Sequence, residues 1–492
     1  MHLSSLVEMV DSGFAERVLL GDRDCPVTGA RLARLASAGA STLAGRRHLV
    51  YIGENHPLLP VALFSAAWAG IPFVPLNYRL DEDNLNDLIG RLPDALVLAD
   101  AATAPRLRAK DVTVLDEWLE SIPARAVTDD PAVDDDAVAV ILFTSGTTSE
   151  PKSALLRHRH LMAYLLGSVE FGGAAEDEAM LVAVPPYHVA GLANMLSSTF
   201  AGRRLVYLRS FDANRWLEVV RSDAVTNAMV VPTMLARIVD ALDGRPANVP
   251  TLRTLSYGGA KISDRVLTEA LRLFPATGFV NAYGLTETAS TIAVLSPEDH
   301  RAAVESHDPV LRGRLSSAGK VLPTVEVAIR DELGAPRPVG AVGLIHVRGE
   351  QVSGEYGSGS ALDTGGWFFT RDLGRLDADG YLFVEGRADD TIIRGGENIA
   401  PAEIEDRLLA HPDVLEACVV GVPNDEWGQL IVAAVVPRDG STVTADELRQ
   451  WVRAELRGSK TPERIVFRTE LPHTETGKLL RRFVQRELSK SD

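Results

Sequence analysis

Cysteine is almost missing from this chain. Only Cys25 and Cys418 occur in 492 residues, too few to staple a protein of this size, which excludes a disulfide scaffold. Excess positive charge is missing too. Fifty Lys plus Arg face 67 Asp plus Glu, a formal charge of −17, and that excludes nucleic acid as the main partner, because phosphate backbones need a basic face. No basic-then-apolar segment opens the sequence, so the expected location is cytoplasmic. One uncharged stretch, Leu58 to Leu76, covers 19 residues and approaches bilayer length. Pro60, Pro72, Pro75, Ser65 and Gly70 interrupt it. The run therefore predicts a helix over Val61–Ala69 that turns at Gly70 into a buried strand, Ile71–Leu76, and no membrane span. Internal repeats and low-complexity tracts are also absent.

What is there is strand–helix alternation. Apolar runs at His48–Ile52, Ala95–Leu98, Ala137–Phe143, Leu205–Leu208 and Ala228–Val231 read as buried strands. Periodic segments such as Arg31–Leu43 and Trp216–Val220 suit the helices between them. Continuous apolar strands alternating with helices predict an α/β fold of layered, mostly parallel sheets. From Gly319 to Val384 short strands sit among Gly, Pro and Asp turns, which predicts a small antiparallel subdomain. Beyond Gly386 a tail of helix Ala402–Leu409, strands Glu416–Val420 and Leu430–Val435, and helix Asp446–Glu455 predicts a separate α+β lid. The division expected is 1–386 and 387–492, with a hinge near 387–390.

The most informative segment is Thr144-Ser145-Gly146-Thr147-Thr148-Ser149-Glu150-Pro151-Lys152, directly after the apolar run at Ala137–Phe143. Hydroxyls, backbone N–H groups and a lysine on a loop at a strand end form a cradle for polyphosphate. No GxxxxGK[ST] or GxGxxG pattern occurs, so the two commonest nucleotide-binding signatures are excluded. His158 and His160 form an HxH pair with no further ligands at metal spacing, so zinc is not expected.

Thr144 to Lys152 resembles the phosphate loop of the adenylate-forming enzymes: acyl-CoA synthetases, peptide-synthetase adenylation domains and luciferases. Four further segments resemble that family's motifs in the same order. They are Tyr283-Gly284-Leu285-Thr286-Glu287, Thr370-Arg371-Asp372, Gly386-Arg387-Ala388-Asp389-Asp390 and Gly477-Lys478. The resemblance implies ATP, Mg2+ and coenzyme A as cofactors. It implies adenine stacking on Tyr283 beside Gly258, Gly259, Ala260 and Asn281, and Mg2+ on Glu287 with Thr147. Asp372 would take the ribose hydroxyls near Arg387, Asp389 would be the hinge, and Lys478 the catalytic cation. Ser149 and Ser153 stand where the family commonly has glycine, which stiffens the loop.

Gly395-Gly396-Glu397 resembles the pantetheine-tunnel loop of aryl- and succinylbenzoate-type CoA ligases. Trp427 either lines that tunnel or packs in the lid core. Lys460, in Gly458-Ser459-Lys460-Thr461-Pro462, resembles a CoA-facing lysine without its usual aromatic neighbour. Pro185-Pro186-Tyr187-His188-Val189-Ala190-Gly191-Leu192 resembles the acyl-pocket segment, and lacks the aspartate that amino-acid-activating relatives carry at His188. His188 is then either a gate beside the substrate carboxylate or a buried core histidine. Val189, Ala190, Asn194, Gly259, Thr288 and Ser290 are the expected acyl pocket, with no cation for a second carboxylate.

These features predict an AMP-forming carboxylate–CoA ligase, monomeric or homodimeric, acting on an aromatic, alicyclic or medium-chain acid. A stand-alone adenylation enzyme loading a carrier protein, and a non-catalytic scaffold, are the alternatives. Residues Arg449–Lys490 carry 11 Lys plus Arg against five Asp plus Glu, a basic end suited to small polyphosphates.

Overall fold

The computed structural model describes residues 1–21, 26–124, 134–144, 151–395, 397–424, 426–474 and 479–490. Two large sheets dominate it. The first has eight strands, in the order Gly359–Ser360, Glu355–Tyr356, Lys152–Arg157, Val138–Thr144, Phe73–Leu76, His48–Ile52, Ala95–Ala99 and Val112–Val114. Pairing is parallel from Val138–Thr144 through to Val112–Val114. The apolar runs expected at His48–Ile52, Ile71–Leu76, Ala95–Leu98 and Ala137–Phe143 form its central strands, and their continuous hydrophobicity follows from being covered on both faces.

The second sheet has thirteen strands. Its parallel half includes Arg204–Tyr207, Ala179–Val182, Asn227–Val230, Thr254–Gly258 and Gly278–Leu285. The sheet then continues antiparallel through Ser290–Leu295, Gly319–Val321, Tyr381–Arg387, Phe368–Leu376, Gly343–Gly349 and Val325–Arg330. The antiparallel region read from the sequence is thus joined edge-on to the parallel half. Gly319 makes the join possible. It has φ +86°, and a Cβ there would lie 2.0 Å from the backbone of Val294.

Helices Leu3–Phe14, Gly29–Ser41 and Leu59–Trp68 pack together over the first sheet. Leu59 to Ala67 are all buried. Being apolar on every side is what a core helix needs, and among the described residues no helix is long and apolar enough to cross a membrane. The next strand begins at Phe73, two residues later than expected, because the Ile71 N–H is taken by the carbonyl of Ala66 at 3.0 Å. Beneath the second sheet, fully buried Trp216 meets Phe274, and Phe274 meets Phe279 in turn, all edge to face.

Among the described residues, no strand after Arg387 joins the large sheets. A hairpin of Ile392–Arg394 and Glu397–Ile399 precedes a sheet of Val414–Asn424, Gly428–Pro437 and Arg464–Phe467. Helices Pro401–Leu409 and Ala445–Glu455 share one core with this sheet, and Arg481–Leu488 contributes to a second. Between them the Arg481 guanidinium is clamped by Glu405, by the carbonyl of Val419 at 2.5 Å, and by Asp390 at 3.3 Å.

The HxH pair is structural. The ring of His158 stacks on His2 with centroids 3.4 Å apart, and its Nδ1 accepts from the Leu3 N–H at 3.3 Å. His160 Nδ1 accepts from the Arg157 N–H. Burial pushes His158 down to about 3 and His160 down to about 4. Both stay neutral when folded, whereas each is protonated in the unfolded chain below about pH 6.5. Their contribution to stability is therefore whole above that pH and is lost as pH falls toward the folded values, by up to about 1.4 kcal/mol per pH unit per histidine. We expect the urea midpoint to drop between pH 7.5 and pH 5, and His158→Asn to flatten that dependence. Equilibrium unfolding followed by circular dichroism at several pH values checks it.

Candidate active site

The two large sheets bring the C-terminal ends of their parallel strands toward one region, the usual place for ligands in open α/β sheets. Thr144 ends one such strand, and Gly258 and Leu285 end two others.

Thr144 pairs across to Lys152, the first residue of the return strand Lys152–Arg157. The phosphate-loop segment is therefore the connection of an antiparallel hairpin, and Lys152 belongs to its strand and not to the loop, as the sequence reading had it. Cross-strand pairing through Val138↔Arg157 fixes that register. Ser145, Gly146, Thr147 and Thr148 lie outside the described residues, as do Gly396 and Lys478. The Lys152 ammonium stands 5.7 Å from the centroid of the Tyr356 ring.

Strand Gly278–Leu285 carries Asn281, Tyr283 and Gly284 past the glycine end of its neighbour, with Gly258 opposite Ala282. Here the backbones touch. A Cβ on Gly258 would lie 2.2 Å from the Ala282 carbonyl oxygen, and one on Gly284 1.8 Å from that of Ser290. Gly259 and Ala260 are exposed at the strand end. Asn281 donates to the carbonyl of Ser317 at 3.0 Å.

Tyr283 donates to Asp372 Oδ2 at 2.5 Å, and Arg387 donates to Asp372 Oδ1 at 2.8 Å. Asp372 is only 5% exposed. Burial, followed by the Asp372 carboxylate, drives the Tyr283 phenol well above its ordinary range. Both Asp372 oxygens thus already hold a protein donor, which leaves their second lone pairs for any further donor. Arg371 is held at φ +63° and pairs with Asp389 at 3.3 Å.

Glu287 lies in the tight turn Thr286–Thr288. Its Oε1 accepts from the Tyr356 hydroxyl at 2.6 Å, and its backbone carbonyl accepts from the Ser353 and Gly354 N–H groups at 2.8 and 3.1 Å. Burial, then Glu287 itself, raises the Tyr356 phenol. Among the described residues only Oε1 of this carboxylate has a hydrogen-bond donor. Those residues contain no cluster of three metal-ligating side chains. A lone half-buried carboxylate still suits Mg2+, which keeps most of its waters and binds through one or two carboxylates plus substrate phosphates.

Helix Val189–Ala201 starts at His188, beside Tyr187 and at the same partly exposed level as Val189 and Ala190. His188 is therefore not a buried core histidine. Asn194 is 8% exposed, and among the described residues its Nδ2 has no hydrogen-bond partner. The structure buries Thr288 and Ser290, two of the expected pocket residues. The Thr288 side chain is wholly buried, and its hydroxyl accepts from the Leu285 N–H and bonds the Ser290 carbonyl at 2.7 Å. The Thr288 hydroxyl holds the strained turn that continues through Ala289 at φ +52° and Ser290 at φ +109°.

In the C-terminal region the Gly395 N–H donates to the carbonyl of Trp427 at 2.8 Å, and the Arg394 guanidinium lies 4.5 Å from that indole. Trp427 is 40% exposed, so it is not a core residue. Glu397 stands 4.0 Å from Arg457, and Lys460 is paired with Glu403 at 2.5 Å. Lys261, next to the glycine strand end, reaches Asp406 at 2.5 Å. Carboxylates before residue 449 therefore answer part of the basic surplus noted there: Glu403 answers Lys460, and Glu405 answers Arg481.

Tyr356 was not singled out from sequence. It lies among Gly, Ser and Asp residues, and only the pairing of Tyr356 with Ala154 brings it to the site.

A sequence model of AMP-binding enzymes matches residues 11–357, and one of the AMP-binding enzyme C-terminal domain matches 403–478. The chain belongs to the AMP-binding enzyme family. It is 33% identical over 468 residues to an indoleacetate–CoA ligase of Aromatoleum aromaticum, covering 91% of this chain and 89% of that one. A feruloyl-CoA synthase of an Amycolatopsis species is 35% identical over 475 residues, with 93% and 92% covered. Among solved structures, the o-succinylbenzoate CoA synthetase MenE of Bacillus subtilis, complexed with an acyl-adenylate intermediate, superposes with a TM-score of 0.84. It shares 27% identity over 98% of this chain and 97% of its own.

Tyr283→Phe in this AMP-binding enzyme deprives a buried carboxylate of one donor. We expect a loss of about 1.5–3 kcal/mol, read as a lower urea midpoint with the unfolding slope unchanged.

Proposed function

We propose that this AMP-binding enzyme is an AMP-forming carboxylate–CoA ligase for an aromatic monocarboxylic acid. The observation that carries this reading is the meeting of Glu287, Tyr356 and Lys152 at the strand ends. The acids named for its relatives, indoleacetate and ferulate, have aromatic tails. Val189, Ala190 and Met195 offer such a tail apolar contacts.

In the first half-reaction the acid's carboxylate oxygen attacks the α-phosphorus of ATP, and pyrophosphate leaves with the bridging electron pair. Lys152 and the loop from Thr144 hold the phosphates. Tyr283, stiffened by Asp372, presents its ring to adenine, and His188 borders the carboxylate. Lys478 stabilises the charge that develops on carboxylate and α-phosphate, as a preorganised cation does. Mg2+ at Glu287, when bound, neutralises phosphate charge. In the second half-reaction the CoA thiolate attacks the acyl carbon and AMP leaves. Holding both reactants in one site supplies the orientation. Residues 387–492 act as a lid that turns at Asp389 between the steps, exchanging Lys478 for the Gly395–Glu397 loop, with Trp427 and Lys460 on the CoA side.

Pyrophosphate release across a panel of carboxylic acids, with and without CoA, tests the reading. An aryl acid should give pyrophosphate alone without CoA, and AMP plus thioester with it. Silence across the panel would favour a non-catalytic scaffold, and acylation of a carrier protein without CoA turnover would reassign the acceptor. Lys478→Ala should slow adenylation about 10²–10³-fold, measured by ATP–pyrophosphate exchange. Asp389→Pro should spare that exchange and abolish thioester formation. Loss of both activities together would refute the hinge.

A further inference from the structure

Tyr356 touches two groups of the proposed site, the Glu287 carboxylate and the Lys152 ammonium. Its strand, Glu355–Tyr356, lies against the return strand of the loop hairpin, with Tyr356 opposite Ala154. On one side the Glu355 carboxylate accepts from Nε and Nη2 of Arg157, at 2.8 and 2.6 Å. On the other, the Ser353 hydroxyl donates to the carbonyl of Leu155, and the Ser353 and Gly354 N–H groups hold the backbone of Glu287. The phenol is thus fixed relative to the hairpin that begins at Lys152 and to the turn that carries Glu287.

A free glutamate carboxylate rotates broadly about its last torsion. One strong donor on a fixed frame removes that freedom, leaving Oε2 set in direction. The ring meanwhile sits within cation–π range of the Lys152 ammonium. We propose that Tyr356 is a positioning residue that sets the Glu287 carboxylate and ties it to the placement of Lys152. This rests on the reading of Glu287 as the metal carboxylate. Partners that orient metal ligands typically account for 10–100-fold in metal affinity.

The test uses Mn2+ in place of Mg2+, with ATP present and the acid omitted, so that no turnover occurs. Free Mn2+ is counted by electron paramagnetic resonance. Tyr356→Phe keeps the ring over Lys152 and removes only the hydroxyl. It should weaken Mn2+ uptake about tenfold while the thermal midpoint stays at the parent value. In a Glu287→Gln background the same change should add less than about twofold, because its effect passes through that carboxylate. Equal Mn2+ affinity in Tyr356→Phe and parent would overturn the inference alone. So would an undiminished Tyr356→Phe effect in the Glu287→Gln background. A parent protein that takes up no Mn2+ with ATP, or a Glu287→Gln protein that binds it as the parent does, would overturn the metal reading of Glu287 and this inference with it.

Discussion

A buried carboxylate must be answered, and in this protein much of the site is arranged around answering one. Asp372 is almost wholly enclosed, with Tyr283 on one oxygen and Arg387 on the other. Leaving such a charge without partners costs several kcal/mol. The strand that delivers Tyr283 and the two that deliver Asp372 and Arg387 therefore cannot drift apart. That constraint joins the parallel half of the thirteen-stranded sheet to its antiparallel continuation. It also fixes where the chain leaves the sheet, since Arg387 ends its last strand and is followed at once by Asp389, held by Arg371.

Around this point the backbone is stressed in a way the surroundings sustain. Arg371, Ala289 and Ser290 all sit at positive φ, conformations that cost of order 1–3 kcal/mol each for residues with a Cβ. Thr288 and Gln351 hold the turn at 289–290 by bonding backbone groups on either side, Gln351 reaching the carbonyls of Thr288 and Thr291. The strained turn and the charge-bound strand together frame Glu287 without requiring Glu287 to be buried itself.

Much of this was legible before the structure. Parallel strands covered on both faces must be apolar throughout, and so His48–Ile52, Ala95–Ala99 and Val138–Thr144 stand out in the sequence. The family motifs were legible because their residues are contiguous. What escaped was decided by pairing between distant segments. Lys152 becomes a strand residue only because Val138–Thr144 finds Lys152–Arg157 antiparallel, and Tyr356 reaches Glu287 only because a two-residue strand adds to that edge. Side-chain direction escaped as well: nothing in Thr-Ala-Ser tells whether Thr288 faces a ligand or the turn that it stabilises. The basic surplus after Arg449 misled in part, since Glu403 and Glu405, earlier in the chain, meet Lys460 and Arg481 in space.

The Arg481 clamp has a mechanical side. One guanidinium gathers Glu405 from the first helix of the C-terminal region, Val419 from its central hairpin, and Asp390 from the segment that leaves the large sheet. Arg481 also opens the helix three residues beyond Lys478. Were residues 387–492 to turn about 387–390 as proposed, Asp390 and Arg481 would carry that rotation to helix Pro401–Leu409 and to the hairpin of the small sheet together, like torque through a keyed shaft.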